Sequence, residues 1–165
     1  MNDNSALYAF NKFGDTVLRT AFAMTGSYQE AEDITQEVFL TLHAKPQSFD
    51  SDEHLKAWLL RSAINRCRNY RKSARILRNS PLDDELANTL SCEFTPRDSE
   101  IRDMIAKLPG KYAAVIFLYY YEEYTVKEIA SLMGKNENTV SSLLQRGRKK
   151  LRTELEREGF IYETR

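Results

Sequence analysis

Arg61, Asn65, Arg68, Asn69, Lys72 and Arg75 recur at spacings of three and four residues, so on a helix they form one stripe of cations and amides. From Leu55 to Leu82 there are eight Lys or Arg and no Asp or Glu. No acid stands at i−4 or i+4 within that run to neutralise the stripe, which therefore seeks an anion from outside. Nucleic-acid backbone suits it best, because Lys and Arg gain by releasing condensed counterions, and Asn65 and Asn69 can add hydrogen bonds to bases. The preceding loop, Lys45 to Asp52, carries Phe49 among polar residues. A ring in that position suits either a pocket for an unstacked base or an anchor packed on the core. Trp58 is read as core.

A second constellation lies in "GKNENTVSSLLQRGRKKL", Gly134 to Leu151. Val140, Leu143, Leu144, Gly147 and Leu151 share one helical face, while Ser141, Ser142, Gln145, Arg146 and Lys149 share the other. Short hydroxyls and Gln near a helix start can reach base edges, and Arg can grip guanine or phosphate. Just before it, Thr125 and Glu128 form a capping-box signal for a short helix, and Gly134 stands where a C-cap or tight turn belongs. Asn136 or Asn138 caps the next helix. A short helix, a Gly-bearing turn and a longer helix make the helix-turn-helix pattern, whose second helix enters the major groove. A solvated surface helix is the competing explanation for any isolated basic helix.

A third face is acidic. Ile34, Val38 and Leu42 point one way, leaving Asp33, Gln36, Glu37 and Leu40 together. An acidic face with an exposed Leu suits a protein partner better than DNA, with a plain solvated surface as the alternative. No nucleophile, metal cluster or Gly-rich phosphate loop appears, so no enzyme activity and no cofactor is expected. Cys67 and Cys92 are isolated, and His43 and His54 lack ligand spacing, which leaves neither a disulfide framework nor a zinc site.

The elements that must position these faces are helices. The chain has 165 residues and a formal net charge of zero, with the charge segregated, since the first fifty-odd residues are mainly acidic. The N-terminus has no basic region followed by an apolar core, and no apolar run approaches ~18 residues, so a soluble cytoplasmic chain without membrane contact is expected. Leu7, Phe10, Val17, Leu18, Ala21 and Met24 return at helical spacings, and strand-like alternation is scarce. The spacing predicts an all-α fold. Ser27 with Glu30 signals a capping box for a second helix that ends before Lys45-Pro46, and a third helix runs from about Asp52 to Ile76. Residues 77–94 read as a linker between a helical domain over 1–76 and a smaller one over 95–165. In the latter, Thr95, Pro96 and Asp98 make an N-cap, N1 and N3 series, and Leu108-Pro109-Gly110 breaks that helix before the run Tyr112 to Tyr121.

The ordered set "AEDITQEVFLTLH", "HLKAWLLRSAINRCRNYRK", "LPGKYAAVIFLYYYEEYTVKEIASLMG" and "NENTVSSLLQRGRKKL" resembles the extracytoplasmic-function (ECF) group of the bacterial sigma-70 family. The resemblance runs from about Leu7 to Leu155. It implies a sigma-2 domain, a flexible linker and a sigma-4 helix-turn-helix domain, in a protein that binds core RNA polymerase, directs it to promoters and helps open the duplex. Asp33, Gln36 and Glu37 match a D-x-x-Q-E segment that docks, with Leu40 beside it, on the clamp helices of the largest polymerase subunit. The loop from Gln47 to Asp52, with Phe49 and Asp50, and the helix bearing Arg61, Asn65, Arg68, Asn69, Arg71 and Lys72 correspond to the parts that capture minus-ten bases of the non-template strand. The minus-35 reader would comprise Asn138, Thr139, Ser141, Ser142, Gln145, Arg146, Arg148 and Lys149. The flap of the second-largest subunit is the implied partner of the C-terminal domain.

Three positions depart from the family pattern: Asn69 stands where Asp is usual, Ala113 where Arg is common, and Ser141 where Lys or Arg is frequent. The resemblance also implies, for many members, an anti-sigma factor, for which the tyrosine-rich run Val115 to Tyr124 is a candidate hold; core packing explains the run equally well. A linker of about 20 residues extends to roughly 65 Å, enough to reach two elements about two helical turns (~34 Å each) apart. The main alternative is a stand-alone helix-turn-helix regulator with a sensor or dimerisation domain, which predicts tight duplex binding without polymerase. A helical enzyme acting on nucleic acid would need a carboxylate or His cluster facing the basic stripe.

Overall fold

An apolar stripe on each helix must be covered by another helix, and that requirement organises the chain. The computed structural model describes residues 5–77 and 96–159, with side chains for 6–70 and 100–159. The expected linker beyond Leu77, Cys92 and the Thr95 N-cap lie outside the described residues. Seven α-helices and no strand are found among the described residues. The chain packs as two compact units, Met1–Cys92 and Glu93–Arg165.

In the first unit α1 (Ser5–Thr25), α2 (Tyr28–Ala44) and α3 (Asp52–Leu77) pack pairwise into a three-helix bundle. Gly26 turns the chain between the first two with φ 70°, a left-handed conformation that costs glycine nothing. Ser27 Oγ accepts the Glu30 N–H at 3.3 Å and starts α2 at the expected place. The other half of the expected capping box is replaced, because the Ser27 N–H donates to Thr25 Oγ1 at 3.3 Å. Val17, Ala21 and Met24 of α1, Ile34, Val38 and Leu42 of α2, and Leu59, Leu60, Ala63, Ile64 and Cys67 of α3 fill the core. Each Leu or Ile buried there stabilises by roughly 1.5–3 kcal/mol. Leu7 and Phe10 belong to the same stripe in the sequence yet stay 53 % and 51 % exposed. They fall at the open end of the α1–α2 hairpin, where Phe10 leans on the edge of Phe39, ring centroids 5.2 Å apart.

In the second unit α4 (Pro96–Lys107), α5 (Gly110–Tyr120), α6 (Val126–Met133) and α7 (Glu137–Arg157) surround one central helix. Tyr112 to Leu118 of α5 are all buried because α4, α6 and α7 each pack against it. Core packing therefore accounts for Val115 to Leu118. Of the tyrosines that follow, Tyr120 is exposed and Tyr119, Tyr121 and Tyr124 are half-buried. Gly147 lets α7 approach α5 closely: a Cβ there would lie 2.8 Å from Ile116 Cδ1 and 3.3 Å from Tyr112 Cβ.

Candidate nucleic-acid interface

Local chemistry sets the start of α7. Thr125 Oγ1 accepts the Glu128 N–H at 3.1 Å while Glu128 Oε1 accepts the Thr125 N–H at 3.3 Å, so the capping box predicted for α6 is complete. Gly134 ends α6 at φ 64°, ψ 35°, and the Lys135 N–H closes onto the Ala130 carbonyl at 2.9 Å. Asn136, the first of the two expected candidates, caps α7 by accepting the Thr139 N–H at 2.7 Å. Val140, Leu143, Leu144, Gly147 and Leu155 are buried, and Leu151 is half-buried. Asn138, Ser141, Ser142, Gln145, Arg146 and Lys149 are exposed, and Thr139 is half-buried against its cap. Arg148 is drawn to one flank, its guanidinium 5.5 Å and 5.6 Å from the centroids of Tyr119 and Tyr120. It also donates through Nε to the Tyr120 hydroxyl, so it is tethered to α5.

The basic helix α3 is set by contacts distant in sequence. Arg61, Asn65 and Asn69 are exposed, and Arg68 is half-buried, burial drawing its guanidinium below its ordinary pKa. The side chains of Arg71 and Lys72 lie outside the described residues, although both positions belong to α3. At 3.6 residues per turn His54, Trp58, Arg61 and Asn65 fall along one side of α3. Trp58, expected in the core, is only half-buried, with its ring turned 63° to Phe49 at a centroid distance of 6.0 Å. Phe49 is half-buried too and meets His54 edge-on at 5.3 Å. The ring of Phe49 thus rests on the start of α3 and keeps part of its surface open.

The start of α3 is pinned from α1. Lys12 Nζ reaches Asp52 Oδ2 at 2.5 Å, and the Tyr8 hydroxyl donates to the same carboxylate at 3.1 Å. These bonds hold Asp52 below the usual carboxylate range and raise the Lys12 ammonium. No spacing rule links residues about forty positions apart, so the pair was illegible in the sequence.

On α2, Asp33, Gln36 and Glu37 are exposed and Leu40 is 63 % exposed. Glu30 beside them is raised above the usual carboxylate range, chiefly by burial and further by Asp33 and Glu37. Glu37 is also the tertiary acid that sequence reasoning about α3 missed. Arg66 Nη1 reaches Glu37 Oε2 at 3.1 Å and Nη2 reaches Thr41 Oγ1 at 2.6 Å. Arg66 lies off the stripe, toward α2, so the stripe residues themselves are not engaged by that pair.

Residues 9–76 match the family model for Sigma-70 region 2, and residues 98–151 match that for Sigma-70, region 4. The ECF RNA polymerase sigma factor SigW of Bacillus subtilis (strain 168) is 31% identical over 163 residues, covering 87% of this chain and 84% of that protein. The chain belongs to the ECF group of the sigma-70 family. RNA polymerase sigma factor SigV of the same organism is 31% identical over 148 residues, covering 86% of each. The sigma factor RpoE from Bartonella quintana, solved in complex with the anti-sigma factor NepR, has a similar fold, with a TM-score of 0.68 at 19% identity over 93% of this chain and 98% of that one. In this ECF sigma factor the region 2 match contains most of α1, all of α2 and α3 up to Ile76. The region 4 match contains most of α4, then α5, α6 and α7 up to Leu151. Among the described residues no group of three or more His, Cys, Asp or Glu is placed to hold a metal ion, and no helix is long and apolar enough to cross a membrane.

Proposed function

We propose that this ECF sigma factor acts in the cytoplasm, binding core RNA polymerase and directing it to particular promoters, with catalysis left to the polymerase. The observation that carries this reading is the pairing, in one chain of the family, of an exposed helix-turn-helix face on α7 with a separate basic face on α3 that ends in an aromatic loop. A stand-alone regulator would need the first alone.

On this reading residues 1–76 form the sigma-2 domain, 77–94 the linker and 95–165 the sigma-4 domain. The α2 face of Asp33, Gln36, Glu37 and Leu40 docks on the clamp helices of the largest subunit, and the C-terminal domain meets the flap of the second-largest. Phe49 and Asp50, with Arg61, Asn65, Arg68, Asn69, Arg71 and Lys72, capture the non-template strand at the minus-ten element. Unstacking a base costs a few kcal/mol, and a waiting ring with flanking cations offsets part of it. Asn138, Thr139, Ser141, Ser142, Gln145, Arg146 and Lys149 read the minus-35 element, while Arg148, held by Tyr119 and Tyr120, reaches backbone from the flank. An anti-sigma factor gripping the tyrosine-rich end of α5 would meet Tyr120 first.

The test is transcription in vitro with bacterial core polymerase on a genomic promoter library. Wild type should give discrete start sites. Asp33→Ala with Glu37→Ala should lower polymerase affinity at every promoter alike, whereas Arg146→Ala should cost about 1–3 kcal/mol unevenly among promoters. Duplex binding with no polymerase-dependent initiation would sink the proposal and leave the stand-alone regulator.

A further inference from the structure

The loop that precedes α3 meets the His54 imidazole at two points. His54 Nδ1 accepts the Asp50 N–H at 3.2 Å, so the nitrogen facing the loop carries no proton in this arrangement. The same ring stands edge-on to Phe49, at 5.3 Å and 81°. His54 is itself fixed at the head of α3, where its N–H donates to Ser51 Oγ at 3.1 Å. It therefore touches the loop twice, once through the backbone next to Phe49 and once through the Phe49 ring.

We propose that His54 is a positioning residue for promoter opening, setting the angle at which Phe49 receives an unstacked base. This rests on the reading of Phe49 as the base receiver. The acceptor bond needs a neutral imidazole. A proton on Nδ1 abolishes the bond to the Asp50 N–H and turns the ring toward the Asp50 carboxylate, whose Oδ2 is 3.9 Å away. Asp52 and Glu53 precede His54 and Lys56 follows it along α3, and Asp52 is paired with Lys12 of α1. Among the described residues Asp50 is the carboxylate that comes within 4 Å of the imidazole. Protonation of the imidazole therefore costs the loop its backbone tie to the head of α3 and leaves Phe49 held by ring contacts alone.

The experiment measures strand opening by the holoenzyme, using 2-aminopurine fluorescence at the minus-ten element of a promoter the protein directs, from about pH 8 down to about pH 5.5. His54→Phe keeps a ring edge against Phe49 and removes the acceptor. It should open the duplex about tenfold more slowly at the upper pH, equivalent to ~1.4 kcal/mol on the barrier, with closed-complex affinity unchanged. His54→Gln restores an acceptor that cannot titrate. It should recover most of the opening rate and hold it where wild type loses it at low pH. Opening by His54→Phe at the wild-type rate, or a low-pH loss in His54→Gln matching wild type, would overturn the proposal. Phe49→Ala separates the two readings: normal opening in that variant removes the base receiver itself, whereas slow opening there with normal opening in His54→Phe removes only the role of His54.

Discussion

The two helices proposed to meet DNA are held in different ways. In the second unit α7 is positioned by groups within about a dozen residues of its own start: Thr125 with Glu128, Gly134 in the left-handed region, and Asn136 on the Thr139 N–H. In the first unit α3 is positioned by partners far away in the chain: Tyr8 and Lys12 on Asp52, and Glu37 and Thr41 on Arg66. A reading helix specified locally can be recognised from a short stretch of sequence. One specified by tertiary pairs cannot, although its chemistry is equally plain once it is placed.

The largest expected effect comes from the point where α7 does depend on a distant partner. Gly147→Val forces side-chain carbon into the contact with Ile116 and Tyr112 and should destabilise the second unit by about 1–3 kcal/mol in urea unfolding. An unchanged midpoint would mean that α7 tolerates a wider separation from α5 than the close approach implies. Next comes the cap. Thr125→Ala removes the side-chain half of the capping box, leaving only the Glu128 carboxylate on the backbone N–H, and should cost about 1 kcal/mol, read as a lower urea midpoint with the first unit's transition unmoved. A loss shared equally by both units would break the distinction between local and distant control.

Smaller effects are expected from the long-range pairs, which are partly exposed. Arg66→Ala should cost no more than about 1 kcal/mol, because Glu37 remains largely in water, and a double-mutant cycle with Glu37→Ala should return most of that loss as coupling. Smallest is the pH response of Asp52. Lys12 first and Tyr8 second hold its carboxyl low, so its contribution is present above the unfolded-state pKa and disappears as the pH falls through the depressed folded-state value. Lys12, raised by the same contact, contributes below its unfolded-state pKa and loses that contribution only as the pH rises through its raised value. Asp52→Asn should therefore reduce the acid-side slope of stability and leave neutral-pH unfolding only slightly altered.

Where the sequence misled, the reason was the same each time. The stripe containing Leu7 and Phe10 was apolar, but coverage depends on where the neighbouring helix ends, and both remain exposed at the end of the hairpin. Trp58 was assigned to the core by its size and hydrophobicity, whereas it borders the loop with Phe49. The stretch from Leu55 to Leu82 contains no acid, but α2 presents Glu37 across the bundle to Arg66.

Helical period, capping chemistry and the ordered motifs by themselves determined the all-α class, the sigma-70 family and the free face of α7, because period and caps join residues no more than a few turns apart and the order of the motifs is written along the chain. The tertiary structure alone decided which acid meets Arg66, what pins Asp52, and which aromatic residue of α5 holds Arg148. Those contacts arise when separate helices pack, and the side chains that meet across a bundle follow from where each helix ends and how it is rotated, which no spacing along one helix encodes.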